Sequence, residues 1–274
     1  MLRNLFLFKL RNQELIILIV TVSIFVGFSV FLDKFFSTGN LLTLMRSVSI
    51  LGILSIAMAV VVISKGIDLS LIATLAIGTA LASVLSSPDV LPFIDLPFVY
   101  AVLLGFLFTA ILCAITGILV AYWDMASVFV TLAMAGVIYG LGRTLFIGDE
   151  LNYLPEDAVW LEYLGRGQLF GIPMPIICFL SLALVMHLVL TQTTFGKFVY
   201  SIGDSGLAAR TAGVPVRPIL VMIFILAGLV AYFAGLLTAG AISSINTRMV
   251  SGSLIYDVLL VVVVGGIGLS GGKG

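Results

Sequence analysis

Eight long apolar runs divide the chain, and short polar or charged segments separate them. About 20 apolar residues in a helix cross a bilayer. We therefore predict eight membrane spans, at residues 15–32, 41–64, 69–85, 98–121, 127–147, 172–190, 219–242 and 254–269. Only 9% of the residues are charged and 61% are hydrophobic, whereas soluble proteins are about 25% charged. The pattern predicts an all-α, polytopic membrane helical bundle in which residues 1–274 form a single transmembrane domain.

Small residues recur at every fourth position in three of these spans. This spacing places small side chains on one helix face and lets two helix backbones approach closely. The pattern therefore predicts that spans three, five and seven pack inside the bundle. The positions are Thr74, Gly78, Ala82 and Ser86 in span three, Gly136 and Gly140 in span five, and Ala227, Ala231, Gly235 and Ala239 in span seven.

The distribution of lysine and arginine predicts the orientation. Eight of the thirteen cations fall on one side of the predicted layout and five on the other, and the side richer in cations is normally cytoplasmic. The first apolar run is too long for the core of a signal peptide, so we expect a retained span with the N-terminus in the cytoplasm. The longest outer loop, residues 148–171, is acidic. Its Tyr153, Trp160 and Tyr163 fit a short helix at the membrane interface.

The longest polar segment between two spans is residues 193–217, on the predicted cytoplasmic side. It contains Lys197, Arg210 and Arg217 and a single acidic residue, Asp204. The letters GDSGLAARTAG predict a turn followed by a short alanine-rich helix. We expect the rest of the chain to hold this segment out toward a partner in the cytoplasm.

Motifs for catalysis, metal binding and nucleotide binding are absent from the sequence. The C-terminal GGIGLSGGKG fits neither a dinucleotide-binding unit nor a phosphate loop, because the required flanking elements and spacing are missing. The single histidine, His187, has no catalytic partners at a recognisable spacing. We therefore predict no enzyme activity, no cofactor and no metal site. The formal net charge of zero also gives no basic excess for nucleic acid.

Charged residues between spans two and three are the best candidates for intramembrane chemistry, because such charges are costly and often functional. Lys65 and Asp68 could pair if their connection is helical, and Asp68 could instead cap the next span. One alternative is a secondary, ion-coupled transporter with Asp68 as its coupling carboxylate. Another is a structural membrane partner with no transport activity.

Four segments resemble, in the same order, the permease subunits of ABC importers for ribose and other simple sugars, including autoinducer-2 permeases, within the branched-chain amino acid and ribose permease superfamily. Residues 64–70, SKGIDLS, are similar to that family's GGIDLS motif. Residues 128–132 are similar to the start of a later span. Residues 194–214 are similar to its cytoplasmic segment, and residues 256–274 to its late glycine-rich motif. The resemblance covers nearly the whole chain.

The resemblance implies an importer of a small polar solute located in the inner cell membrane. Its expected partners are separate ABC ATPase subunits, an outer solute-binding protein, a second permease copy or paralogue, and the lipid bilayer. We expect Phe195, Tyr200 and Leu207 to anchor the ATPase, the acidic Glu156 and Asp157 to contact the binding protein, and an Ala209→Asp change to uncouple transport. The implied site residues are Gly203, Ala208, Ala209, Arg210 and Gly213 for ATPase coupling, Gly266, Ser270, Gly271 and Gly272 for a second cytoplasmic motif, and Asp68, Thr131 and Asn246 for the substrate path.

The sequence also departs from the family pattern. Lys65 stands where the motif has a small residue, and the run after Tyr256 lacks the motif's small residues. Members of the family continue beyond the glycine-rich motif with further spans. We therefore expect this chain to be a truncated or divergent form of such a permease.

Overall fold

A computed structural model describes residues 12–86, 96–146, 151–248, 253–268 and 271–272. Ten α-helices account for most of these residues, with four short strands between them. A π-helical turn at Gly142–Phe146 extends α5, and a 3-10 turn at Glu156–Ala158 precedes α6. The elements are α1 (Asn12–Phe31), α2 (Thr38–Ile63), α3 (Leu71–Leu85), α4 (Phe98–Tyr122), α5 (Ser127–Leu141), β1 (Leu151–Tyr153), α6 (Val159–Arg166), β2 (Gln168–Leu169), β3 (Ile172–Pro173), α7 (Met174–Gln192), α8 (Thr194–Thr211), α9 (Val216–Ile242), β4 (Ser244–Asn246) and α10 (Leu254–Val264).

The helices agree with the eight predicted spans. Five are long and apolar enough to cross a membrane by length and composition: α2, α4, α5 with its π-helical extension to Thr144, α7 and α9. Three shorter apolar helices, α1 from Leu15, α3 and α10, fill the remaining positions. The all-helical membrane bundle is therefore confirmed. The short helix expected at the outer interface corresponds to α6, which contains Trp160 and Tyr163, whereas Tyr153 lies in β1.

The core of the bundle forms around α3 and α9. α9 lies against α2, α3, α4 and α6, and α3 also contacts α4 and α5. Every residue of α3 from Leu71 to Val84 is buried. A helix that is apolar on all sides is expected in such a central position. By contrast, α1 exposes most of its apolar side chains, as a helix facing lipid would.

Three core glycines, Gly78, Gly105 and Gly235, oppose side chains with a polar tip. A Cβ on Gly78 would lie 2.6 Å from Thr109 Oγ1, and one on Gly105 would lie 2.5 Å from the Tyr232 hydroxyl. A Cβ on Gly235 would overlap Thr79 Oγ1. Among the described residues, the buried hydroxyls of Thr79 and Thr109 have no hydrogen-bond partner. They occupy the space beside Gly235 and Gly78 that a Cβ atom would otherwise fill. The prediction of close packing is therefore correct for spans three and seven.

The same prediction is wrong for the glycines of α5. Gly136 is exposed, and an added Cβ at Gly136 or Gly140 would meet nothing within 4 Å. The buried face of α5 consists of Val130, Thr131, Met134 and Ile138 instead. Periodicity identifies a face of small residues, but it does not say whether another helix of the same chain covers that face.

The connections cluster at two opposite ends of the bundle. At the end named here the α6 end, β1 pairs with β4 in an antiparallel ladder, and β2 pairs with β3. Gly165 of α6 packs directly on Gly240 and Ala241 at the end of α9, where a Cβ would overlap backbone atoms. At the other end, named the α8 end, the α2–α3 connection and the α4–α5 turn meet α8.

Candidate functional site

The connection between α2 and α3, residues 64–70, is held by two hydroxyl side chains at the start of α5. Ser127 Oγ accepts a 3.1 Å hydrogen bond from the N–H of Ile67. Thr131 Oγ1 accepts a 3.0 Å bond from the N–H of Leu69 and donates a 3.1 Å bond to the carbonyl of Ile67. Buried backbone groups outside regular helices need such partners, because an unpaired buried N–H or C=O is costly.

Asp68 lies inside this connection and is 1% exposed. Its Oδ1 accepts hydrogen bonds from the backbone N–H and the hydroxyl of Ser70, which is a local turn of the kind that aspartate favours. Asp68 therefore orders the approach to α3, but it does not N-cap α3 as predicted, because Ser70 holds the N-cap position and no side-chain cap bond forms there. The expected Lys65–Asp68 pair is wrong, because the connection is not helical and the Lys65 amine bonds elsewhere.

The amine of Lys65 donates a 2.8 Å hydrogen bond to the backbone carbonyl of Asp204 in α8. Its side-chain stem packs on Gly271, where a Cβ would overlap Lys65 Cγ. Lys65 adopts a left-handed backbone conformation with a φ of 66°, which is uncommon for residues other than glycine and asparagine and costs on the order of 1 kcal/mol.

Two glycine-containing segments that are distant in sequence meet at the end of α2. The N–H of Gly272 donates a 2.9 Å hydrogen bond to the carbonyl of Ile63. Gly203 packs on the same carbonyl and on the Gly272 nitrogen, so any Cβ there would overlap both. Gly271 and Gly272 have φ values of 72° and 74°, which glycine adopts readily. Of the other residues predicted in this motif, Gly266 is exposed and Ser270 lies outside the described residues.

α8 consists of two helical pieces with a kink at Ser205, whose φ of −152° and ψ of 105° are not helical. The first piece is helical from Thr194, and Thr193 caps it by accepting from the N–H of Gly196. The second piece, residues 206–211, is named the distal α8 helix. It corresponds to the predicted alanine-rich helix, and Gly213 follows it with a φ of 85°.

The predicted coupling residues differ in their exposure. Leu207 is 77% exposed, whereas Ala209 is only 4% exposed. Ala208 and Arg210 are exposed, and Gly203 is buried. Phe195 and Tyr200 pack partly against the core, so of the three expected apolar anchors only Leu207 presents its side chain fully. The roles of these residues remain predictions.

An ion cluster joins the distal α8 helix to the α4–α5 turn. Arg210 Nη2 lies 3.3 Å from Asp124 Oδ1, and Arg217 Nη2 lies 4.0 Å from Asp124 Oδ2. The guanidinium of Arg217 also lies over the ring of Tyr122, 5.4 Å from its centroid. All three ion-pair members are about half exposed, so each pair contributes little to stability. The sequence interpretation missed Asp124, although it is the only acidic residue in the turn between spans four and five.

A cavity of about 440 Å³ opens at the α8 end between four segments. Lys65 comes from the α2–α3 connection, Met125 from the α4–α5 turn, Leu207 from the distal α8 helix and Phe224 from α9. Asp68 and Thr131 lie in the neighbouring junction and are fully buried. The third path candidate, Asn246, is in β4 at the α6 end, so the structure brings together only two of the three.

Among the described residues no group of histidine, cysteine, aspartate or glutamate could hold a metal ion.

The acidic loop at the α6 end is built into the fold by several of its charges. Asp157 Oδ2 accepts a 2.8 Å hydrogen bond from the N–H of Phe98 and so caps α4. Glu162 accepts from the hydroxyl of Ser243 and pairs with Arg166. The hydrogen bond from Ser243, followed by Arg166, lowers the pKa of Glu162. Glu156 and Asp157 are both exposed.

Nearly the whole chain is similar in sequence to known transport permeases. Residues 40–272 match the profile of a family described as the permease component of branched-chain amino acid transport systems. The ribose import permease of Bacillus subtilis is 34% identical over 95% of this chain and 76% of its own length. The ribose import permease of Haemophilus influenzae is 30% identical over 97% and 80%, and the L-arabinose ABC transporter permease of Azospirillum brasilense is 31% identical over 96% and 75%. No solved structure matches.

Proposed function

The chain belongs to the permease family of branched-chain amino acid transport systems, and from that premise we propose that its solute is a simple sugar such as ribose. The supporting observation is its similarity to ribose and L-arabinose import permeases over at least 95% of its length. Selectivity in such importers depends largely on the binding protein, so we propose the class of solute and not one sugar.

We further propose that two separate ABC ATPase subunits drive transport from the cytoplasm through the distal α8 helix. The exposed Leu207 supports this proposal, because an apolar side chain that is 77% exposed next to an open cavity suits a protein partner. In this arrangement the N-terminus is cytoplasmic and the α6 end faces outward. The exposed part of the acidic loop contacts a solute-binding protein, and a second permease copy or paralogue completes the channel.

Reconstitution tests this function. The chain is placed in proteoliposomes with its ATPase and a binding protein, and uptake of radiolabelled ribose is measured with ATP, without ATP, and with a proton or sodium gradient alone. We expect uptake only with ATP, and an ATPase that cannot hydrolyse ATP serves as the control. Uptake that follows the ion gradient without ATP would favour the ion-coupled transporter with Asp68 as its carboxylate.

A further inference from the structure

Lys65 occupies a position that usually favours glycine. At the end of α2, the N–H groups of Lys65 and Gly66 donate to the carbonyls of Val62 and Val61 at 2.9 and 3.0 Å. Lys65 thereby takes the left-handed conformation that glycine commonly provides after a helix. A strained backbone of this kind persists where surrounding contacts fix it, so the side-chain contacts of Lys65 are the place to look for its role.

Those contacts join three segments of the chain. The amine of Lys65 bonds the carbonyl of Asp204, 139 residues away, and Asp204 is the residue directly before the kink at Ser205. The stem covers Gly271, whose N–H donates a 3.0 Å hydrogen bond to the carbonyl of Gly268. Lys65 therefore contacts α8 at the point where its direction changes.

The distal α8 helix is attached to the bundle on two sides. Arg210 pairs with Asp124 on one side, and the Lys65–Asp204 bond holds its base on the other. Beyond Lys65, the connection continues to Ile67 and Leu69, which Ser127 and Thr131 bind to α5. A displacement of the distal α8 helix thus reaches the buried junction that holds Asp68 through the Lys65–Asp204 hydrogen bond and then along the backbone of residues 65–69.

We propose that Lys65 is the positioning residue that transmits movement of the distal α8 helix to the α2–α3 connection. This inference rests on the proposed role of that helix in receiving force from the ATPase. Its structural part, the attachment itself, is independent of that role and is tested separately.

Hydrogen exchange on the purified permease tests the attachment. Lys65→Met keeps the length of the stem and removes the amine, so the amides of residues 206–212 should exchange about threefold or more faster. Lys65→Gly removes the same bond while suiting the left-handed backbone, so it should give the same increase with α2 intact. Lys197→Met, on the exposed side of α8, is the matched control and should leave exchange unchanged. Equal exchange in the wild type and both Lys65 variants would overturn the attachment.

Transport stoichiometry tests the transmission. With the ATPase bound, Lys65→Met and Lys65→Gly should lower the solute moved per ATP hydrolysed severalfold while the affinity for the ATPase stays the same. Lys65→Arg, which can still donate to the Asp204 carbonyl, should restore most of the ratio. A wild-type ratio in Lys65→Met would overturn the transmission role even if exchange increases. Failure of the wild-type permease to bind any ABC ATPase would overturn the proposed function, and the transmission role with it.

Discussion

Leu207 and Ala209 are two positions apart in α8, yet one side chain is exposed and the other is buried. The sequence suggested Ala209→Asp as a test of coupling, because Ala209 lies in the segment expected to dock on the ATPase. In the structure a carboxylate at position 209 would be forced into a packed site, and burying an unpaired charge destabilises a fold. Loss of transport in that variant would therefore not report on docking.

Leu207→Asp is the sharper test at the residue scale. Because Leu207 is exposed, the substitution should leave the folded permease intact but place a charge where we expect an apolar contact with the ATPase. We expect sugar uptake to fall about tenfold or more, which corresponds to roughly 1.4 kcal/mol or more of lost interaction. The measurement is ATP-dependent uptake in proteoliposomes, with membrane-inserted protein quantified alongside.

Leu207→Met is the control, since it retains an apolar side chain of similar size and should transport normally. Wild-type uptake by Leu207→Asp would remove this side chain from the proposed contact with the ATPase.

Contacts between residues far apart in the sequence are the part of the site that the sequence could not predict. The Asp68–Ser70 turn was foreseeable because its partners are two positions apart. The Lys65–Asp204 and Arg210–Asp124 contacts join residues 139 and 86 positions apart, and no helical or strand periodicity relates such positions. The one available signal was that Lys65 stands where the family motif has a small residue. That signal pointed to the residue but not to its partner.

At the scale of elements, apolar run length predicted the span boundaries to within three residues, because bilayer thickness sets the length of a span, except that α5 and α10 end at Leu141 and Val264, before the predicted ends at 147 and 269. The other exceptions are short polar elements that depend on tertiary contacts. The β1–β4 ladder pairs residues from the outer loop with residues after α9, and the first half of α8 depends on a cap from Thr193. Neither feature produces a long periodic pattern.

Packing between α3 and α9 leads to a prediction about stability. Gly235→Ala would drive a Cβ into Thr79 Oγ1 and place it 2.9 Å from the carbonyl of Leu75, so we expect a loss of about 1–3 kcal/mol. Gly136→Ala is the matched control on α5, where an added Cβ meets nothing, and it should be neutral or slightly stabilising. Thermal unfolding in detergent measures both. Equal melting temperatures would contradict the packing described for α9.

The loop at the α6 end gives a second prediction for an element. Glu156→Lys should weaken association with the binding protein severalfold, because Glu156 is exposed and charges at the rim of an interface chiefly change association rates. Asp157 is unsuitable for this test, since it caps α4. Binding is measured by surface plasmon resonance at two salt concentrations, with Glu156→Gln as the charge-neutral comparison. An affinity that neither substitution changes would exclude Glu156 from the contact.

For the whole molecule, the fold and the family agree with what composition and motif order indicated. The predicted topology already placed three motifs, at residues 64–70, 203–213 and 271–272, on the same side of the membrane, but the sequence could not reveal that they contact one another, because such contacts depend on how the helices pack. Nor could it separate glycines that face the core from those of α5 that face outward. The account depends most on that end being cytoplasmic and covered by the ATPase.

Labelling a single accessible cysteine at position 208, with the buried Cys113 left in place, tests this central claim most directly. Ala208→Cys, with Cys178→Ser to remove the half-buried native thiol, is treated with a membrane-impermeant maleimide in intact cells, in inverted vesicles, and in inverted vesicles with the ATPase added. The account predicts no labelling in intact cells, rapid labelling in inverted vesicles, and protection when the ATPase binds. Labelling in intact cells, or labelling that the bound ATPase leaves unchanged, would contradict it.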